Sequence, residues 1–161
     1  MENIFLLLGS NLGNRHNYLL EAINLIQINI GPIINKSSIY ETAAWGKNDQ
    51  PDFLNQAIYL QSDLTPGELL KQVLRIEGLL ERKRKEFWGA RTMDIDILFY
   101  GNQLIDEPNL SIPHKLLHER RFVLMPLNEI APDFEHPILE KKIQELLQQL
   151  KDNLSVKKLK N

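Results

Sequence analysis

An unbroken apolar run from Ile4 to Leu8 stops at Gly9-Ser-Asn-Leu-Gly13, which predicts a buried strand followed by a loop. Residues 15–28 carry Leu19, Leu20, Ile23, Ile26 and Gln27 at helical spacing, and Gly31-Pro32 ends that helix. Ile33 to Thr42 reads as a second strand and Phe53 to Leu60 as a third, with a long loop at 43–52 between them. Thr65-Pro-Gly-Glu68 is the clearest helix start in the chain. Threonine can cap, proline suits the first helical position, and glutamate completes a capping box. Leu69, Leu70, Val73, Ile76 and Leu80 give that helix its buried face.

A charged loop from Arg82 to Ala90 leads to a segment in which Met93, Ile95 and Ile97 alternate with Asp94 and Asp96. Alternation of period two is the mark of a strand, so the two carboxylates project from one face, about 7 Å apart at the backbone. Leu98 and Tyr100 are expected on that same face. Past Gly101-Asn102 the chain turns through Ile112-Pro-His114, and further helices are expected over 119–130 and 138–150, before a lysine-rich tail that frays from Lys151. The order strand, helix, strand, strand, helix, strand predicts an α+β fold. It is the ferredoxin-like split β-α-β arrangement, an antiparallel sheet with helices on one face, in a single domain spanning 1–161.

Composition changes this picture little. The hydrophobic fraction is 43% and the charged fraction 25%, ordinary for a soluble protein, and 161 residues bury a substantial core. A net charge of -2 gives no global attraction for nucleic acid or an anionic membrane, so any affinity for anions must be local. The absence of cysteine excludes disulfides and thiolate chemistry and suits a reducing cytoplasm. The run Ile4–Leu8 is too short for a signal peptide or membrane span.

The candidate chemistry gathers around Asp94 and Asp96. Paired carboxylates on a strand are often just its wet face, but side by side they also suit a hard divalent cation such as magnesium. The basic run Arg82-Lys-Arg-Lys85, read alone, is a solvated loop. Its place just upstream of the carboxylates, with Arg91 between, makes it a phosphate-binding candidate. His114 and His118 are four residues apart but lack the glutamate and third ligand of a zinc site. His114 is better read as a phosphate donor, and His16, His118 and His136 as surface residues. Phe53, Phe122 and Trp45 read first as core; Phe53 beside Asn55 also offers a ring and an amide to a flat heterocycle.

Taken together, Gly9-Ser-Asn-Leu-Gly13, Ser38-Ile-Tyr-Glu-Thr42, Asp49-Gln-Pro-Asp-Phe-Leu-Asn55, Arg75-Ile-Glu77, Trp88-Gly-Ala-Arg-Thr-Met-Asp-Ile-Asp96 and Ile112-Pro-His114 occur in an order that resembles the hydroxymethyldihydropterin pyrophosphokinases of folate biosynthesis. The resemblance runs from Leu8 to about Pro132. It implies transfer of pyrophosphate from ATP to 6-hydroxymethyl-7,8-dihydropterin, with release of AMP, on a ferredoxin-like fold. Asp94 and Asp96 would hold two magnesium ions, and Arg82 and Arg91 would neutralise charge on the transferring group. Glu77, Arg84, Trp88, Ile97, Ser111, His114 and Arg120 would line the ATP site. The pterin would lie between Phe53 and Phe122, near Thr42, Ala43, Trp45 and Asn55. The loops at 43–52 and 82–91 would close over both substrates.

Departures from the family pattern are Phe87 where a basic residue is frequent, Ala90 in place of proline, and Leu74 and Lys115 near the nucleotide. The expected partners are the two small substrates, with no nucleic acid and no membrane, and the chain is expected to act as a cytoplasmic monomer. A ferredoxin-like nucleic-acid-binding module and a non-catalytic ligand-sensing domain are the competing readings. The first needs a basic face that the charge of -2 opposes, and the second predicts nucleotide binding without turnover.

Overall fold

The computed structural model describes residues 1–11, 14–42, 52–82, 93–152 and 154–159. In chain order it contains β1 (Glu2–Ser10), α1 (Arg15–Asn29), β2 (Ile33–Lys36), β3 (Tyr40–Thr42), β4 (Phe53–Ser62) and α2 (Pro66–Arg82). There follow β5 (Asp94–Tyr100), β6 (Ile105–Glu107), β7 (Leu110–Ile112), a single 3-10 turn (Leu117–Glu119), α3 (Arg121–Ile130), α4 (Ile143–Gln148) and β8 (Val156–Lys158). The main sheet is antiparallel in the order β5-β1-β4-β3-β8, with β2 also on β4, and β6 and β7 form a separate hairpin.

Helices cover both faces of the sheet, not one as expected. Leu6, Leu8, Leu54 and Ile58 pack with Leu19 and Ile26 of α1 and Leu69 and Ile76 of α2. Phe5, Leu7, Ala57 and Phe99 pack on the other side with Leu124 and Leu127 of α3 and Ile143 of α4. The physical reason lies in β1, whose apolar run leaves neither side suited to water.

The start of α2 follows its sequence signature. Thr65 Oγ1 accepts the Glu68 N–H at 3.2 Å, and Glu68 Oε1 accepts the Thr65 N–H at 2.9 Å. Helix α1 buries Leu19, Ala22 and Ile26 but leaves Leu20 in solvent. Gly31 closes it where a Cβ would stand 2.1 Å from the Gln61 carbonyl oxygen, a contact only glycine permits.

The predicted strand over 33–42 is two strands. Ser37 interrupts it by accepting the Ala57 N–H on its hydroxyl, while its carbonyl accepts the Gln56 side-chain amide. The strand bearing Asp94 and Asp96 also departs from strict alternation. Leu6 pairs with Ile97 but Phe5 pairs with Phe99, so β5 holds one extra residue there. Tyr100 therefore joins the α1/α2 side with Ile95 and Ile97, while Leu98 and Phe99 join the α3 side.

The helix expected over 138–150 begins only at Ile143. His136 takes the preceding residues into a turn, its Nδ1 accepting the N–H groups of Ile138 and Leu139 at 3.2 and 3.1 Å. Far from being a surface residue, His136 is 4% exposed. Burial, with His118 nearby, holds its pKa below the ordinary value. The tail expected to fray instead places Val156–Lys158 against β3, pairing Thr42 with Val156 and Tyr40 with Lys158. No helix among the described residues is long and apolar enough to cross a membrane.

Candidate active site

Sheet register builds the floor of the site. Gly9 of β1 pairs with Asn55 on one side and Asp94 on the other, and Leu7 pairs with Ala57 and Asp96 in the next row. Cross-strand partners project to the same face, so these side chains all rise on the α3 side of the sheet. Phe53 and Thr42, paired with each other at the start of β4 and the end of β3, extend the same surface. Gly9 keeps its part of the floor open. A Cβ there would lie 3.1 Å from Asn55 Nδ2.

Above this floor is a cavity of about 660 Å³. Its walls include Thr42, Phe53, Asn55, Asp94, Asp96, Glu119, Arg120 and Phe122. Asn55 and Thr42 are buried, and a 3.5 Å contact joins Thr42 Oγ1 to Asn55 Oδ1. The Arg120 guanidinium lies over the Phe122 ring, 5.7 Å from its centroid.

A second cavity of about 380 Å³ lies along the free edge of β5 and α2. It includes Glu77, Ile95, Ile97, Ser111 and His114. Glu77 Oε2 accepts the Ile95 N–H at 2.7 Å, covering an edge donor that β1 does not use. The His114 N–H donates to the Leu98 carbonyl at 3.1 Å, seating the turn after the cis Ile112–Pro113 peptide against the same edge. Asp96 and Leu116 border both cavities.

The first cavity is rich in carboxylates. Asp94, Asp96, Glu119 and Asp152 line it together with Arg120, so a polyanion entering needs added positive charge. Among the described residues no cluster of three or more acidic or histidine side chains forms a complete metal cage. Two carboxylate ligands, with the remaining positions left to water and substrate phosphates, is the arrangement magnesium favours. Asp94 and Asp96 fit that requirement in residue type and position.

Thr42, Phe53, Asn55 and Phe122, expected to surround a heterocycle, come together in the larger cavity, and Glu77, Ile97, Ser111 and His114, expected around a nucleotide, come together in the smaller. Arg120 differs, lining the larger cavity beside Phe122. Ala43, Trp45, Arg84, Trp88 and Arg91 lie outside the described residues, as do the Arg82 side chain, Phe87, Ala90 and most of both loops expected to close.

Sequence reading missed Asp152, Leu154 and Glu119 as wall residues, and Leu116 as a residue common to both cavities. Asp152 Oδ2 accepts the Arg121 N–H at 3.0 Å and its Oδ1 accepts the Leu154 N–H at 2.8 Å. Burial raises its pKa, but these two donors and the Arg121 charge outweigh burial and hold the carboxyl below its ordinary value.

A family model described as 7,8-dihydro-6-hydroxymethylpterin-pyrophosphokinase matches residues 5–132. Proteins named 2-amino-4-hydroxy-6-hydroxymethyldihydropteridine pyrophosphokinase are similar over most of their length. The one from Aquifex aeolicus is 39% identical over 145 residues, 90% of each chain. That from Haemophilus influenzae is 39% identical over 158 residues, 98% of each. That from Bacillus subtilis is 43% identical over 137 residues, 84% of this chain and 82% of its own. In solved structures, the wild-type HPPK-DHPS of Plasmodium falciparum with SDX-DHP shares the fold, with a TM-score of 0.76 at 22% identity. The match covers 92% of this chain and 43% of that longer one.

Proposed function

Because the chain belongs to the 7,8-dihydro-6-hydroxymethylpterin-pyrophosphokinase family, we propose that its two adjoining cavities hold the two substrates of that family's reaction. The enzyme transfers pyrophosphate from ATP to 6-hydroxymethyl-7,8-dihydropterin, giving AMP and the pterin diphosphate, a step of folate biosynthesis. The observation that carries the site assignment is Asp96, which borders both cavities.

In this reading the pterin lies in the larger cavity between Phe53 and Phe122, with Asn55 and Thr42 hydrogen-bonding its edge. The family resemblance adds Ala43 and Trp45 as further residues that would contact the pterin. ATP occupies the smaller cavity, its adenine against the β5 edge at Ile97, with Glu77, Ser111 and His114 around it. His114 Nδ1 accepts the Leu116 N–H at 3.4 Å, which leaves the ring proton on Nε2 as a donor for phosphate. The same resemblance adds Arg84 and Trp88 as residues that would contact the nucleotide. Arg120, on the wall of the larger cavity, would meet phosphates that reach it, and the family resemblance gives Arg82 and Arg91 the role of complementing the charge that develops on the transferring group.

Asp94 and Asp96 would hold two magnesium ions, which supply charge neutralisation across the triphosphate and alignment for in-line transfer. The protein's own share is positioning. Phe53, Phe122, Asn55 and Thr42 fix the pterin so that its hydroxyl points at the β-phosphorus. A bond forms between that oxygen and the β-phosphorus, the bond from the β-phosphorus to the AMP oxygen breaks, and the hydroxyl proton passes to a floor carboxylate. The lack of cysteine suits a reducing compartment such as the cytoplasm.

Product analysis tests the reading. After mixing protein, ATP, magnesium and the hydroxymethyl-dihydropterin, phosphorus NMR should show AMP and diphosphorylated pterin rising in equal amounts. ADP, or AMP without modified pterin, would contradict it.

A further inference from the structure

The residues from 150 onward lie beyond the stretch matched by the family model, yet two of them, Asp152 and Leu154, line the larger cavity. From there the chain passes to β8, which adds to the sheet beside β3 and sets Val156 opposite Thr42, another wall residue. The C-terminal residues thus meet the start of α3 at Asp152 and the end of β3 at Val156.

Helix α3 depends on this segment at its first turn. Its own N-cap position is Arg120, which makes no side-chain capping bond. The first N–H groups of a helix need acceptors and favour a negative charge. Asp152, distant in sequence, supplies both by accepting the Arg121 N–H at 3.0 Å. Its carbonyl accepts Arg121 Nε at 3.1 Å, so the side chain of Arg121 is held as well as its backbone. The neighbours of Arg121 in the chain are Arg120 and Phe122, both facing the cavity.

The far end of α3 is tied to the same pair of strands. Glu129 accepts from the Ser38 N–H at 2.8 Å and the Tyr40 hydroxyl at 2.7 Å, and Lys158 Nζ lies 3.6 Å away. With both ends of the helix fastened to β3 and β8 or the segment before β8, the cap at Asp152 sets where Phe122 stands relative to Thr42.

We propose that Asp152 and Leu154, with β8 behind them, form a wall of the pterin cavity and that Asp152 is a positioning residue for Phe122. This rests on the assignment of the pterin to the larger cavity.

Steady-state kinetics on Asp152→Ala, Asp152→Asn and, as a reference, Phe122→Ala separate the possibilities. Asp152→Ala should raise the pterin KM roughly tenfold while the ATP KM stays within about twofold, because only one substrate's wall has moved. Asp152→Asn keeps one acceptor oxygen and should recover most of the loss, and it serves if the alanine variant folds poorly. A wild-type pterin KM in Asp152→Ala, with Phe122→Ala impaired, would overturn the positioning role and leave the cavity assignment standing. Equal losses toward both substrates, with no recovery in Asp152→Asn, would also overturn it. If Phe122→Ala itself leaves the pterin KM unchanged, the cavity assignment fails and the role of Asp152 falls with it.

Discussion

Asn55 and Asp94 stand on opposite sides of Gly9 in a single row of the sheet, the first on β4 and the second on β5. Two strand spacings separate them at the backbone, about 10 Å. The amide proposed to read the pterin and a carboxylate proposed to hold metal are therefore fixed relative to each other by backbone hydrogen bonds.

Gly9→Ala tests that row. The new methyl would stand 3.1 Å from Asn55 Nδ2, so the amide must shift. The pterin KM should rise about fivefold or more with little change in the ATP KM. Kinetics with each substrate varied in turn checks this, and an unaltered pterin KM would count against Asn55 as a pterin contact.

Thr65→Ala should weaken the protein without touching the site. It removes the hydroxyl that accepts the Glu68 N–H at the start of α2. The expected cost is about 1 kcal/mol, which lowers Tm by about 2–4 °C in a chain of this size. Calorimetry with a parallel activity assay checks it. A loss of turnover exceeding the loss of folded protein would be the wrong result.

His136 should make stability depend on pH. The folded protein keeps its pKa below the ordinary 6.5, through burial first and then His118, so folding favours the neutral ring. Its contribution is complete above pH 6.5 and is lost as pH falls through the lowered value. Protonation would also cost the acceptor at Nδ1 that holds Ile138 and Leu139. Denaturation midpoints between about pH 7 and pH 5 should fall less steeply in His136→Asn than in the parent. Identical slopes would show that His136 does not report on folding.

What the sequence made legible was local chemistry with a local partner. The capping box of Thr65 and Glu68 is written within four residues, and the alternation around Asp94 and Asp96 is a property of one strand. Contacts made across the chain were not legible. The extra residue in β5 appears only in its pairing with β1, and it turns Tyr100 away from the aspartates. Val156–Lys158 carries two lysines and looks like a solvated tail; it is a strand because β3 offers it a free edge, and the lysines then keep the new edge charged. Asp152 gave no signal because the N–H it caps lies on another element.

Asp96 borders both cavities and is proposed to join the two substrates through magnesium. The most direct measurement is AMP formation by Asp96→Ala at saturating ATP and pterin, across a magnesium titration, with circular dichroism confirming the fold. Asp96→Ala should fold normally and turn over about a hundredfold or more slower at every magnesium concentration. Wild-type turnover with unchanged magnesium dependence would contradict it.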